Sequence, residues 1–186
     1  MAFLRSVLIP LLMLLMLLVL LALPVSAQEA PPLEYELKAA FLYNFVKFVD
    51  WPQDAFAGPR SPLTICVYGE DPFGSSLDAA VRGESLGERS LLVQRPAALD
   101  ELRGCQVLFV SRSERQRMPE VLSRIEDATV LTVSDTDGFL RAGGIINFVL
   151  EENKVRFLIN QDAAERSRLR ISSKLLRLAK GSSSSP

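Results

Sequence analysis

The chain has 186 residues, with 21 Lys and Arg against 22 Asp and Glu, a net charge of −1 and no histidine. A balance so close to neutral gives no general attraction to nucleic acid. The missing imidazole removes Ser-His-Asp and Cys-His nucleophile systems, and with them the commonest ligand of zinc, copper and non-haem iron.

Residues 1–27 read as an export signal. Arg5 gives a short positive start, the run from Val7 to Leu23 is almost purely Leu, Val, Met and Ile, and Val25-Ser26-Ala27 places small residues before Gln28. The alternative is an uncleaved anchor, but about 17 apolar residues sit at the lower limit for crossing a bilayer. No Cys stands beside the cleavage site to carry a lipid. Removing 1–27 takes one Arg and no acid, which leaves 20 basic residues (21 − 1) against 22 acidic ones, or −2, over residues 28–186. That length suits one domain with a real core.

After Pro31-Pro32 the spacing predicts a helix over 33–50, ended by Trp51-Pro52. On a helical wheel Leu37, Phe41, Leu42, Phe45, Val46, Phe48 and Val49 sweep about 200°, more than one sheet face covers. The core is expected to take Phe41, Phe45 and Phe48. Tyr43, Lys47 and Trp51 are left at the rim as candidate partner contacts, aromatic anchors with a charged edge. A bilayer is a poor target, because the polar face is mixed in sign rather than basic. Lys38 falls inside the apolar arc. Its stem is expected to snorkel out from the helix start; the other reading is a buried ammonium held for a carboxylate or a ligand anion.

LTICVY (63–68) is a compact strand, and Asp71-Pro72 cap a helix running to about Arg82. SLLVQ (90–94) is a second strand, and AALDELRG a short helix. QVLFVS (106–111) is a third strand, apolar throughout as in a strand buried on both faces. A helix over 113–126 and a strand over 128–134 follow. Gly143-Gly144 marks a tight turn or a close backbone approach. IINFVLEENKVRFLIN is an antiparallel hairpin turning at Glu152-Asn153. A last helix runs from Gln161, capped by Asn160, toward Ala179, and residues 181–186 form a flexible tail. Strands alternating with helices imply an α/β fold. The expected form is a three-layer αβα sandwich, mostly parallel, with the C-terminal hairpin at one edge.

Two cysteines in an exported chain read as one disulfide, Cys66 with Cys105. Glu70-Asp71 and Asp135/Asp137 follow strand ends, where α/β folds place their sites. The plainer reading makes Asp71 a helix cap and Asp135 and Asp137 turn formers, with catalysis or hard-cation binding as the alternative. GEDPFG is not a phosphate cradle. Arg166, Arg168, Arg170, Lys174, Arg177 and Lys180 follow one another without an acid. A helix C-terminus favours such cations, and one guanidinium among them could fork onto a phosphate or carboxylate.

KAAFLYNFVKFVDWP, LTICVYGEDPFG, AGGIINFVLEENKVRFLIN and ISSKLLRLA, in that order, resemble the YfiR-like family over Glu34 to Ala179. The resemblance implies a periplasmic α/β protein that is not an enzyme and takes no cofactor. It implies a repressor that binds the periplasmic sensor domain of an inner-membrane diguanylate cyclase, and so lowers cyclic di-GMP and biofilm formation. A homodimer, an outer-membrane lipoprotein as second partner, and nucleotides or aromatic metabolites at the surface are implied as well. Cys66 and Cys105 match a cysteine pair of the family, whereas a second pair found in some relatives is missing. Arg170, just before ISSKLLRLA, is the expected ligand-contacting guanidinium. Readings from other classes are a periplasmic small-ligand carrier and a carboxylate-dependent hydrolase working through Asp135 or Glu70.

Overall fold

Apolar runs rich in Val, Ile, Leu and Phe become the strands of one central sheet. The computed structural model describes residues 33–183. In chain order its elements are α1 (Leu33–Lys47), β1 (Val49–Asp50), β2 (Leu63–Tyr68), α2 (Ser75–Val81), β3 (Ser85–Leu86), β4 (Arg89–Gln94), β5 (Val107–Val110) and α3 (Met118–Arg124). They continue as β6 (Leu131–Ser134), β7 (Ile146–Glu151), β8 (Lys154–Asn160), α4 (Gln161–Arg166), β9 (Arg170–Ile171), α5 (Ser173–Leu178) and β10 (Gly181–Ser183). The expected export signal and residues 184–186 lie outside the described residues.

The sheet order is β10-β8-β7-β6-β5-β2-β4-β3, and β1 pairs antiparallel with β9 as a separate ribbon. β4, β2, β5, β6 and β7 run parallel to one another, and β8 returns antiparallel to β7. The chain passes from β2 to β4 on one side and then to β5 on the other. The order therefore reverses between β2 and β5, and in such sheets the carboxyl ends of the strands at that point form a crevice.

Alternation along the strands divides the core between two faces. Leu63, Ile65, Val67, Val107, Phe109, Leu131 and Val133 pack with Leu42, Phe45 and Val46 of α1 and Leu77 of α2. Cys66, Tyr68, Leu108 and Val110 face the other way, onto Val121 and Leu122 of α3. The αβα layering expected from the sequence is thus present. The hairpin turns at Glu152 (φ 48°) and Asn153 (φ 58°), where the left-handed pair matches the twist of the flanking strands. Gly144 is a close approach: a Cβ there would stand 2.2 Å from the Phe139 ring.

Several boundaries differ from the expectation for local reasons. The first helix ends at Lys47, not at residue 50, because Val49 and Asp50 pair with Ile171 and Arg170. The helix expected from Asp71-Pro72 starts at Ser75 instead. Asp71 Oδ1 accepts from the Phe73 N–H at 2.8 Å, and Gly74 takes φ 54°, outside helical geometry. The helix expected over 113–126 is a 3-10 turn, Arg112–Glu114, followed by α3, which begins beside Pro119. The last helix breaks at Arg168, which takes φ 57° and whose guanidinium donates to Asp54 and Thr129 at 2.6 and 2.8 Å. The tail is shorter than expected, since Gly181–Ser183 extend the sheet along β8, so the hairpin is not its outermost element.

Candidate functional site

The carboxyl end of β6 meets the start of α1, and there the chain buries a set of charges. Asp135, directly after β6, has a side chain only 1% exposed. Its Oδ2 accepts from Lys38 Nζ at 2.5 Å and from the Tyr35 hydroxyl at 2.9 Å. Helical spacing puts Glu34, Tyr35 and Lys38 within one turn, and Glu34 Oε1 lies 2.5 Å from Lys38 Nζ. Arg112, just past β5, brings its Nε to 3.1 Å from Asp135 Oδ1. Its N–H is not aimed along that line, so Oδ1 has a charged neighbour and no hydrogen-bond donor. The Thr136 hydroxyl beside it is also buried without a partner.

Burial and then the bond to Asp135 push the Tyr35 phenol above its ordinary range, so it stays a neutral donor. Burial is the largest influence on Arg112 and opposes its charge, but Asp135, Tyr35 and Glu34 together more than offset it and the net shift is upward. Lys38 Nζ also sits 4.3 Å from the centre of the Tyr35 ring, which packs edge-on against Phe73. Two carboxylates face two cations, and each buried charge has an opposite within reach. The arrangement clamps α1 to the sheet, and Arg112 is its solvent-facing member, 60% exposed. Among the described residues no group of carboxylates or thiols is placed to hold a metal ion.

The expected snorkelling of Lys38 is corrected here. It is the buried ammonium held for a carboxylate, 2% exposed, and Asp135 is its partner rather than a turn former. Asp137 and Glu70 are exposed, and the Glu70 N–H donates to Ser113 Oγ. Asp71, in its turn, joins Asp78 in holding Arg95 at 2.7 and 2.6 Å. Tyr35 and Arg112 were not legible as site residues, although Tyr35 lies one helical turn before Lys38.

The other candidates fall in separate places. Cys66 and Cys105 are bonded, with Cα atoms 5.9 Å apart, in the core beneath α3. Tyr43 and Lys47 stand together on α1: the ammonium lies 3.9 Å from the ring centre, and the Tyr43 hydroxyl donates to Glu84. Trp51 stands apart from them. Its indole N–H donates to the Val46 carbonyl at 3.3 Å, and its ring meets Phe56. Arg170 is exposed on β9 opposite Asp50. Phe45 is fully buried, whereas Phe41 and Phe48 are partly buried against the core.

Together these features define a disulfide-stapled α/β domain whose buried charges are used to lock a helix onto a sheet. The chain belongs to the YfiR/HmsC-like family, whose profile matches residues 35–180. That family is periplasmic and regulatory. No curated protein gives a significant match. Among solved structures, the chain is similar to a conserved domain protein from Vibrio cholerae O1 biovar El Tor, with TM-score 0.52 and 11% identity over 80% of this chain. It is also similar to an ABC domain from Streptococcus pneumonia in complex with L-Trp, with TM-score 0.54 and 10% identity over 78% of this chain. It spans 60% of the length of each, and at such identity the likeness speaks for the fold alone. No helix among the described residues is long and apolar enough to cross a membrane.

Proposed function

We propose that this chain is a periplasmic regulator that binds the periplasmic sensor domain of an inner-membrane diguanylate cyclase and represses it. The observation that carries this reading is the family match across residues 35–180. Two features agree with it. The buried charges are spent on one another, which leaves Asp135 without a free role as a base. The rim of α1 also offers Tyr43 and Lys47 as a stacked, solvent-facing pair, with Trp51 beyond the helix end. Aromatic and cationic side chains of this kind anchor protein interfaces.

The experiment is a deletion in the native host with complementation. Deletion is expected to raise cyclic di-GMP, and the wild-type gene to restore it. Lys47→Glu, at an exposed position, should melt normally and fail to restore it. An unchanged cyclic di-GMP level on deletion overturns the reading.

A small-ligand role is the second reading. It is favoured by Arg112, a largely exposed guanidinium at the carboxyl ends of the strands. A rise in melting temperature with carboxylate-bearing metabolites, lost in Arg112→Ala, is its test.

A further inference from the structure

Three exposed leucines gather in one place. Leu33 (80% exposed), Leu37 (45%) and Leu150 (54%) line a groove of about 500 Å³ between the start of α1 and the tip of the β7–β8 hairpin. The register explains it. Ile146–Ile159, Phe148–Phe157 and Leu150–Val155 pair in succession on one face of the hairpin. Phe41 of α1 closes the middle of that seam, 6.0 Å from Phe148 and 5.6 Å from Phe157 between ring centres. Beyond Phe41 the seam runs on into solvent, with Leu37 and Leu33 on one wall and Leu150 on the other. A soluble chain seldom leaves contiguous leucines wet unless something covers them.

The charge at its edge is one-sided. Lys154 and Arg156 line the groove, and neither has an acidic partner among the described residues. Glu34, also in the lining, is turned inward onto Lys38 at 2.5 Å and is neutralised there. A bilayer would be met by a convex apolar ridge with many cations around it; this surface is concave, and two cations flank it.

We propose that the groove receives an amphipathic segment of the protein partner, with apolar side chains seated on Leu33, Leu37 and Leu150 and acidic side chains against Lys154 and Arg156. For the identity of that partner the proposal rests on the regulatory reading above, which makes it the periplasmic domain of the cyclase. The groove is a surface separate from the Tyr43–Lys47 rim.

The test titrates the purified chain against the purified periplasmic domains of the host's membrane diguanylate cyclases. Leu37→Asp with Leu150→Asp is expected to weaken binding about a hundredfold, as for a central apolar anchor. Lys154→Glu with Arg156→Glu is expected to weaken it about tenfold and to remove most of its salt dependence. Because all four side chains are surface groups, both variants should melt as the wild type does, and the second covers a failure of the first to fold. Wild type binding none of the domains overturns the regulatory reading and the groove's partner with it. Wild type binding one of them, with both variants binding equally well, overturns the groove alone. Two further outcomes also overturn it: loss of self-association in the variants with cyclase binding intact, or binding to anionic lipid vesicles that the variants lose.

Discussion

Lys38 Nζ lies 2.5 Å from Asp135 Oδ2, and neither side chain is more than 2% exposed. The pair joins the first helix to the carboxyl end of β6 across nearly a hundred residues of sequence. A buried pair adds little over an apolar one, but breaking it by removing one partner is costly. Asp135→Asn should therefore destabilise the chain by about 3–5 kcal/mol. Lys38→Met with Asp135→Leu should cost less than that single change. Urea unfolding of the three proteins checks this; a loss below about 1 kcal/mol in Asp135→Asn would mean that water reaches the pair.

Tyr35 is expected to make stability depend on pH in the alkaline range. Its folded pKa is raised above the ordinary value of 10.0, first by burial and then by its bond to Asp135. A group raised on folding contributes stability that is complete below its unfolded pKa and lost as pH climbs through the folded one. Wild type should thus lose stability more steeply than Tyr35→Phe above about pH 10. Parallel curves for the two proteins between pH 9 and pH 12 would sink this assignment.

The Cys66–Cys105 bond closes a loop with a sequence separation of 39. Replacing both cysteines with Ser should lower stability by about 2–4 kcal/mol and leave the far-UV spectrum unchanged. Thermal melting with and without reductant is the measurement, and identical melts would show that the bond contributes nothing.

Phe45 is wholly buried and touches Phe148 and Phe157 at 5.6 and 5.0 Å between ring centres. Phe45→Ala should cost about 3–5 kcal/mol through the cavity it opens. Lys47→Ala, at an exposed position of the same helix, should stay within about 0.5 kcal/mol of wild type. Equal losses in the two variants would contradict the division of α1 into core face and rim.

What the sequence made legible was whatever depends on short-range pattern. LTICVY reads as a compact strand, QVLFVS as a strand buried on both faces, and Glu152-Asn153 as the tight turn between two strands. The disulfide followed from compartment and number. What escaped depends on contacts made across the chain. The helical pattern ran smoothly through Val49 and Asp50, and only pairing with β9 turns them into a strand. Nothing near Lys38 announces that Asp135 will meet it, so the sequence alone favours a snorkelling stem, and only the fold brings the end of β6 to α1. Arg112 was hidden for the same reason: its partner is a strand away. In sequence Leu33 and Leu37 look like core residues of an amphipathic helix, and only the end of the hairpin at Leu150 shows that nothing among the described residues covers them.

The regulatory reading is tested most directly on a full-length membrane diguanylate cyclase of the host, embedded in nanodiscs so that both faces are accessible, with GTP supplied. The rate of cyclic di-GMP synthesis is followed as the purified, disulfide-intact chain is added. The account predicts a saturable fall in that rate with at least one host cyclase. Synthesis unchanged at every concentration, for every cyclase tested, would contradict it.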